Sequence, residues 1–156
     1  MKKSILRPSW DEYFIQIAHV VKTRSNCTRG QVGALIVKNK QIISTGYNGT
    51  PIRIKNCFEG GCDRCLMRNA GKLKSGEKKD ACICLHAEQN ALLQAAYHGI
   101  SSAGADMYLT DSPCLQCAKM IINSGIRKII AEKQFSDPLG TKLLKQANIK
   151  LVILKR

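Results

Sequence analysis

Apolar positions along this chain follow two periods, and the switches between them mark out the elements. Residues 9–25 predict a helix: Ser9 can cap it, Asp11 and Glu12 suit its positive end, and Tyr13, Ile17, Val20 and Val21 recur on one face. Residues 32–37 and 41–47 are β-rich runs parted by Lys38-Asn39-Lys40, which predicts a hairpin. Asn48-Gly49-Thr50-Pro51 then breaks the strand. Residues 52–85 show no clear period and hold a Lys-rich loop at 71–79; so long an aperiodic stretch usually has a functional reason or a local staple. From His86 the helical period returns in Ala87, Ala91, Leu92, Ala95 and Ala96, and Gly99 closes it. Beyond it the pattern predicts a strand at 106–110, a helix at 114–123 ended by Gly125, and a strand at 127–131. A helix at 138–147 and a last strand at 150–154 complete the series.

Helices alternating with strands in the second half imply parallel pairing, and the early hairpin implies an antiparallel edge. The expected architecture is α/β, a mixed five-stranded sheet flanked by helices. With 156 residues, 44% of them hydrophobic, and no repeat or linker, a single domain over 1–156 is expected, with 52–85 as a cysteine-rich insertion. No stretch reaches the roughly 20 apolar residues of a membrane span. The opening residues are basic but lack an apolar run before a small-residue cleavage site, so a signal peptide is not expected and a soluble cytoplasmic protein is. Lys and Arg number 25 against 11 Asp and Glu, a net charge of +14 that attracts anions, whether nucleotides or polynucleotide backbone. Aromatic residues at 5% argue against a stacking platform for single strands.

Eight cysteines add chemistry to this picture. They group as Cys62-x-x-Cys65, Cys82-x-Cys84 and Cys114-x-x-Cys117, which in a reducing compartment reads as metal binding. Pro113-Cys114-Leu115-Gln116-Cys117 and His86-Ala87-Glu88 each stand at a predicted helix start. Zinc takes imidazole nitrogen and thiolate sulfur readily, and a catalytic site keeps three protein ligands with one position open for water. His86, Cys114 and Cys117 supply three. Glu88 is left over, and a carboxylate beside that water is the proton carrier a hydrolytic reaction needs. The two half-motifs together are similar to the H-x-E…P-C-x-x-C signature of zinc-dependent nucleobase deaminases. A closed zinc ribbon fits less well, because His86 lacks a matching knuckle. Backbone N–H groups of Ala87 or Cys114 are candidates to hold the ring carbonyl. His19 and His98 read as ordinary helix residues.

The resemblance extends along the chain. Ser25-Asn26-Cys27-x-Arg29-x-x-Val32-Gly33-Ala34, Gly46-Tyr47-Asn48-Gly49-Thr50-Pro51, Asn56-Cys57, His86-Ala87-Glu88-x-Asn90-Ala91 and Ser112-Pro113-Cys114-x-x-Cys117-Ala118-Lys119 occur in the order seen in the deoxycytidylate deaminase family. The resemblance implies a three-layer cytidine deaminase-like fold and zinc-dependent hydrolysis of dCMP to dUMP and ammonia, feeding thymidylate synthesis. It also implies a homo-oligomer, commonly a hexamer, with dCTP and dTTP as effectors, and places Asn48 on the nucleotide sugar. A second, structural zinc near Cys27 and Cys57 is implied too, completed from the insertion. Six thiols (Cys27, Cys57, Cys62, Cys65, Cys82 and Cys84) compete for four positions, so the ligand set stays open. Arg24, Ser25 and Arg29 are the candidates for the 5′-phosphate, since arginine contacts phosphate in a bidentate way. Three rivals remain: a polynucleotide deaminase acting on tRNA adenosine, another cytidine or cytosine deaminase, and a non-enzymatic zinc protein that binds nucleic acid.

Overall fold

Asn39 and Lys40 both adopt left-handed backbone, with φ of 52° and 61°. This turn matches the twist of paired strands, so it folds β1 (Gly33–Lys38) back onto β2 (Gln41–Tyr47) as an antiparallel hairpin. The computed structural model describes residues 7–134 and 137–154, so the first residues read above for a targeting segment lie outside the described part. On its other edge β1 pairs antiparallel with β3 (Asp106–Asp111), while β3, β4 (Lys128–Lys133) and β5 (Lys150–Ile153) run parallel. The sheet order is β2-β1-β3-β4-β5, the mixed five-stranded sheet that the pattern predicts.

Alternation along β1 sends side chains into two cores. Leu35 and Val37 meet Phe14, Ile15 and Ala18 of α1 (Trp10–Lys22), together with Tyr108 and Ile130. Ala34 and Ile36 turn the other way, with Met107, Leu109 and Ile129, toward α3 (Ala87–Tyr97), α4 (Leu115–Asn123) and α5 (Pro138–Gln146). Three layers result, with α1 on one face and α3, α4 and α5 on the other. On α3 the residues facing the sheet are Ala87, Ala91 and Ala95, all buried, so this helix lies close against the strands.

The face of α1 differs from the expected one. Tyr13 and Val20 are exposed, and the buried stripe is Phe14, Ile15 and Ala18, flanked by partly buried Ile17 and Val21. Close approach decided the rotation: a Cβ on Gly33 would lie 1.9 Å from the carbonyl oxygen of Ala18, so helix and strand meet through their two smallest residues. Ser9 caps the helix as expected and exchanges hydrogen bonds with Glu12, the Glu12 carboxylate accepting from the Ser9 N–H at 2.7 Å. His19 is not an ordinary surface residue, because the packing of α1 over the sheet brings its Nε2 to 2.6 Å from Glu132 Oε2. His98 is the C-cap of α3.

Residues 52–85 are more ordered than an aperiodic stretch suggests. They hold α2 (Asp63–Asn69) and short 3-10 turns at Cys57–Glu59 and Lys79–Ala81. Their interior is sulfur: Cys27, Cys57, Cys62, Cys65 and Cys84 are buried together, with Cys82 beside them. The apolar side chains Ile52, Ile54, Phe58, Leu66 and Ile83 are exposed. No helix among the described residues is long and apolar enough to cross a membrane.

Candidate active site

His86 and Cys114 are both N-caps, of α3 and α4 respectively, and Cys117 follows in the first turn of α4. Pro113 precedes the cap. Two helix N-termini converge, bringing His86 Nδ1 to 3.5 Å from Cys114 Sγ and 3.4 Å from Cys117 Sγ. The three donor atoms all lie within 4.8 Å of one another. One imidazole nitrogen and two thiols at this spacing suit a tetrahedral zinc ion, whose bonds to sulfur and nitrogen run about 2.0–2.3 Å.

The titration of the cluster points the same way. A hydrogen bond from Cys117, with a further contribution from His86, brings Cys114 down to about 4. The same bond, together with burial, pushes the Cys117 thiol up. His86 is raised by its hydrogen bond to Cys114. Cys114 is thus favoured as a thiolate beside His86, an array in which a metal cation can take the place of protons.

Glu88 is 4% exposed. Burial raises its carboxyl above the usual carboxylate range, opposed by its own backbone N–H and by His86, and it hydrogen-bonds with the Cys117 thiol. Residues two apart on a helix normally diverge. At the second position of α3 the carboxyl instead turns toward the helix end, where His86 and Cys117 also meet.

Small residues and carboxamides fix this end of α3. A Cβ on Gly46 would lie 2.1 Å from Ala87 O and 2.4 Å from Ala91 N, so glycine in β2 lets the strand reach the helix backbone. Asn90 Nδ2 donates to Tyr47 O at 2.7 Å, and Ser44 Oγ donates to Ala91 O at 2.9 Å. Gly49 and Leu85 exchange backbone hydrogen bonds at 3.2 and 2.8 Å, tying the loop after β2 to the segment that enters His86.

Sequence reasoning missed Asp137. It caps α5 by accepting from Leu139 N at 3.0 Å, and its other oxygen accepts from Leu115 N at 2.8 Å, at the first turn of α4. These backbone donors, Leu115 first, lower its carboxyl. Asp-Pro at a helix start signals the cap; the reach to Leu115 depends on α5 packing against α4, which no local signal reports.

The substrate candidates separate. Asn48 is buried, and its Oδ1 accepts from Val32 N at 3.0 Å, which leaves the amide nitrogen as the end to meet a ligand. Ser25 Oγ donates to Asn48 O at 2.8 Å and to Gly30 O at 3.1 Å, so this hydroxyl braces the Asn48 loop. Arg24 is exposed, and Arg29 donates weakly to Asn69 Oδ1 at 3.4 Å. Ala87 is fully buried at the first position of α3, where its N–H has no partner within the helix.

The six other cysteines form two groups of four whose sulfurs all lie within 4.8 Å of one another. One group is Cys27, Cys57, Cys65 and Cys84; the other is Cys62, Cys65, Cys82 and Cys84. Burial works against ionisation of Cys62, but hydrogen bonds from the Cys65 and Ile83 backbone and from neighbouring thiols bring it down to about 7. Cys65 and Cys84 are pushed up, by burial first and then by neighbouring sulfur.

A three-layer sheet with this donor set at paired helix N-termini defines a class, the zinc-binding scaffold of cytidine deaminase-like proteins. Residues 8–133 match the cytidine and deoxycytidylate deaminase zinc-binding region, and the chain belongs to that family. It is 40% identical over 146 residues to the deoxycytidylate deaminase of Saccharomyces cerevisiae, covering 93% of this chain and 45% of the relative. It thus spans less than half the length of that yeast protein. Against the deoxycytidylate deaminase of Mycobacterium phage D29 the identity is 38%, over 82% of this chain and 98% of the relative. The crystal structure of dCMP deaminase from cyanophage S-TIM5 with dCMP and dUMP superposes with a TM-score of 0.76 at 31% identity, covering 96% and 99% of the two chains. A tRNA:A34 deaminase structure, at 21% identity and a TM-score of 0.51, shares the fold alone.

Proposed function

We propose that this chain, folding as one domain over 1–156, hydrolyses dCMP to dUMP and ammonia and so supplies dUMP for thymidylate synthesis. The observation that carries the reading is a carboxyl buried beside a His-Cys-Cys donor set at two converging helix N-termini, in a chain whose relatives include deoxycytidylate deaminases. His86, Cys114 and Cys117 would hold zinc, which when bound supplies Lewis acidity that makes a water nucleophilic near neutral pH. Glu88 takes a proton from the water that adds to ring carbon C4 and delivers it to ring N3. It then passes the second proton to the exocyclic nitrogen, which leaves as ammonia. The raised carboxyl suits this work, since it both accepts and returns a proton.

The Asn48 amide donates to the sugar hydroxyl, the Ala87 N–H faces the ring carbonyl, and Ser25 holds the Asn48 loop in place. Arg24 and Arg29 supply the positive charge for the 5′-phosphate. A further zinc in the cysteine-rich segment is structural. The same reading takes the protein as a cytoplasmic homo-oligomer, a hexamer, with dCTP and dTTP as effectors.

The test gives the purified protein dCMP, CMP, cytidine and an adenosine-containing tRNA stem-loop, and follows ammonia and the products. The expected result is the highest kcat/KM on dCMP; conversion of the stem-loop alone would overturn the substrate. Glu88→Gln should keep its zinc and lose about 10²–10⁴-fold in kcat. Full turnover would remove Glu88 from the mechanism, and lost zinc would make it a ligand.

A further inference from the structure

We infer that the six cysteines outside the active site hold two zinc ions in one cluster, with the sulfurs of Cys65 and Cys84 bridging them. This deepens the reading of a structural zinc and rests on it. Two four-sulfur groups each satisfy the same distance limit, and they share Cys65 and Cys84. Two tetrahedra joined along an edge need six ligands, four terminal and two shared. Among the described cysteines, six lie outside the active-site set, and all six belong to these two groups. A single ion would use four and strand either Cys62 with Cys82 or Cys27 with Cys57.

The spacing fits. Around zinc with bonds of about 2.3 Å, tetrahedral sulfurs stand ~3.8 Å apart. Cys62 Sγ and Cys82 Sγ, the terminal pair of one group, are 4.0 Å apart, too far for a disulfide and right for two ligands of one ion. On the other side Thr28 Oγ1 lies 3.7 Å from Cys57 Sγ, and it accepts from Asn69 Nδ2 at 3.0 Å, so a terminal sulfur is braced from outside. Charge also fits. Six thiolates and two Zn²⁺ carry a net charge of −2, in a segment (residues 52–85) with eight Lys and Arg against four Asp and Glu.

The cluster would do the work of a core. The segment buries sulfur and turns its larger apolar side chains outward, so it has little else to hold it. It also reaches the active site twice. Cys84 stands two residues before His86, and Cys27 follows Asn26, whose N–H donates to Asn48 O at 3.1 Å.

Metal counting on zinc-saturated, desalted full-length protein tests this without reference to turnover. Elemental analysis and native mass spectrometry should find three zinc ions per chain, and two in the His86→Ala Cys114→Ala variant. The Cys62→Ser Cys82→Ser variant should fall from three to two. Two ions in the wild type, with one left after the His86 and Cys114 changes, would overturn the binuclear cluster and keep a single structural zinc. One ion in the wild type would overturn both. Cobalt gives a second readout for sparingly folded variants: Co²⁺ ions bridged by thiolate couple magnetically. In the His86→Ala Cys114→Ala protein the EPR signal per cobalt should fall as the second ion loads. A constant signal per cobalt would overturn the bridge.

Discussion

Asp137 shows how a single carboxylate can set the geometry of a site it does not enter. Its two oxygens accept from the first turns of α4 and α5, so the helix carrying Cys114 and Cys117 starts where α5 dictates. Asp137→Ala removes both acceptors and should lower kcat by about tenfold or more, as loss of groups supporting metal ligands does. Asp137→Asn keeps one of the two acceptors and should recover part of the rate; a wild-type kcat in Asp137→Ala would show that the hydrogen bonds to Leu115 and Leu139 do not matter. At this scale the sequence is a good guide to chemical type. That His86, Cys114 and Cys117 form one donor cluster with Glu88 beside it was legible, because donor chemistry and fixed spacing leave few alternatives. Asp137 was not, and neither was the brace that Ser25 forms by donating to two backbone carbonyls. Each of these last two depends on which backbone lies opposite, and nothing local encodes that.

Among the elements, positions were legible to within a residue or two wherever a turn or cap marks them. Asn39-Lys40, Gly99 and Gly125 all stand at positive φ where the breaks were read. Rotation about a helix axis was less legible. The pattern on α1 favoured Tyr13 and Val20, but contact through Ala18 and Gly33 turned them outward. The same device acts at β2 and α3, and it can be tested there. Gly46→Ala places a methyl against the α3 backbone, which has no flexible end to yield. Overpacking of this kind costs about 2 kcal/mol, which lowers the melting temperature by roughly 4–8 °C in a chain of this size. Because α3 carries His86 and Glu88, kcat should fall as well. A thermal melt and kinetics on one preparation check both, and an unchanged melt would mean that β2 and α3 can separate without cost.

For the molecule as a whole, two kinds of interior coexist. The sheet buries aliphatic side chains on both faces, while residues 52–85 bury sulfur. Removal of metal should therefore act unevenly. Treatment with a strong zinc chelator should open α2 to trypsin at Arg64 and Arg68, half-buried in the folded protein, while far-UV circular dichroism keeps most of its amplitude. Resistance of α2 to cleavage after complete metal loss would show that the segment is held by something other than its cysteines. By itself, the sequence determined the period of the elements outside residues 52–85, the parallel and antiparallel halves of the sheet, and the donor types of the His-Cys-Cys cluster. All of these rest on local spacing, which a chain of covalent geometry fixes. Tertiary structure alone decided which faces meet, that Asn48 spends its Oδ1 on the Val32 N–H, and that six scattered thiols fall into two groups sharing Cys65 and Cys84. Those outcomes depend on contacts between residues tens of positions apart, where close packing, and not spacing along the chain, selects the neighbour.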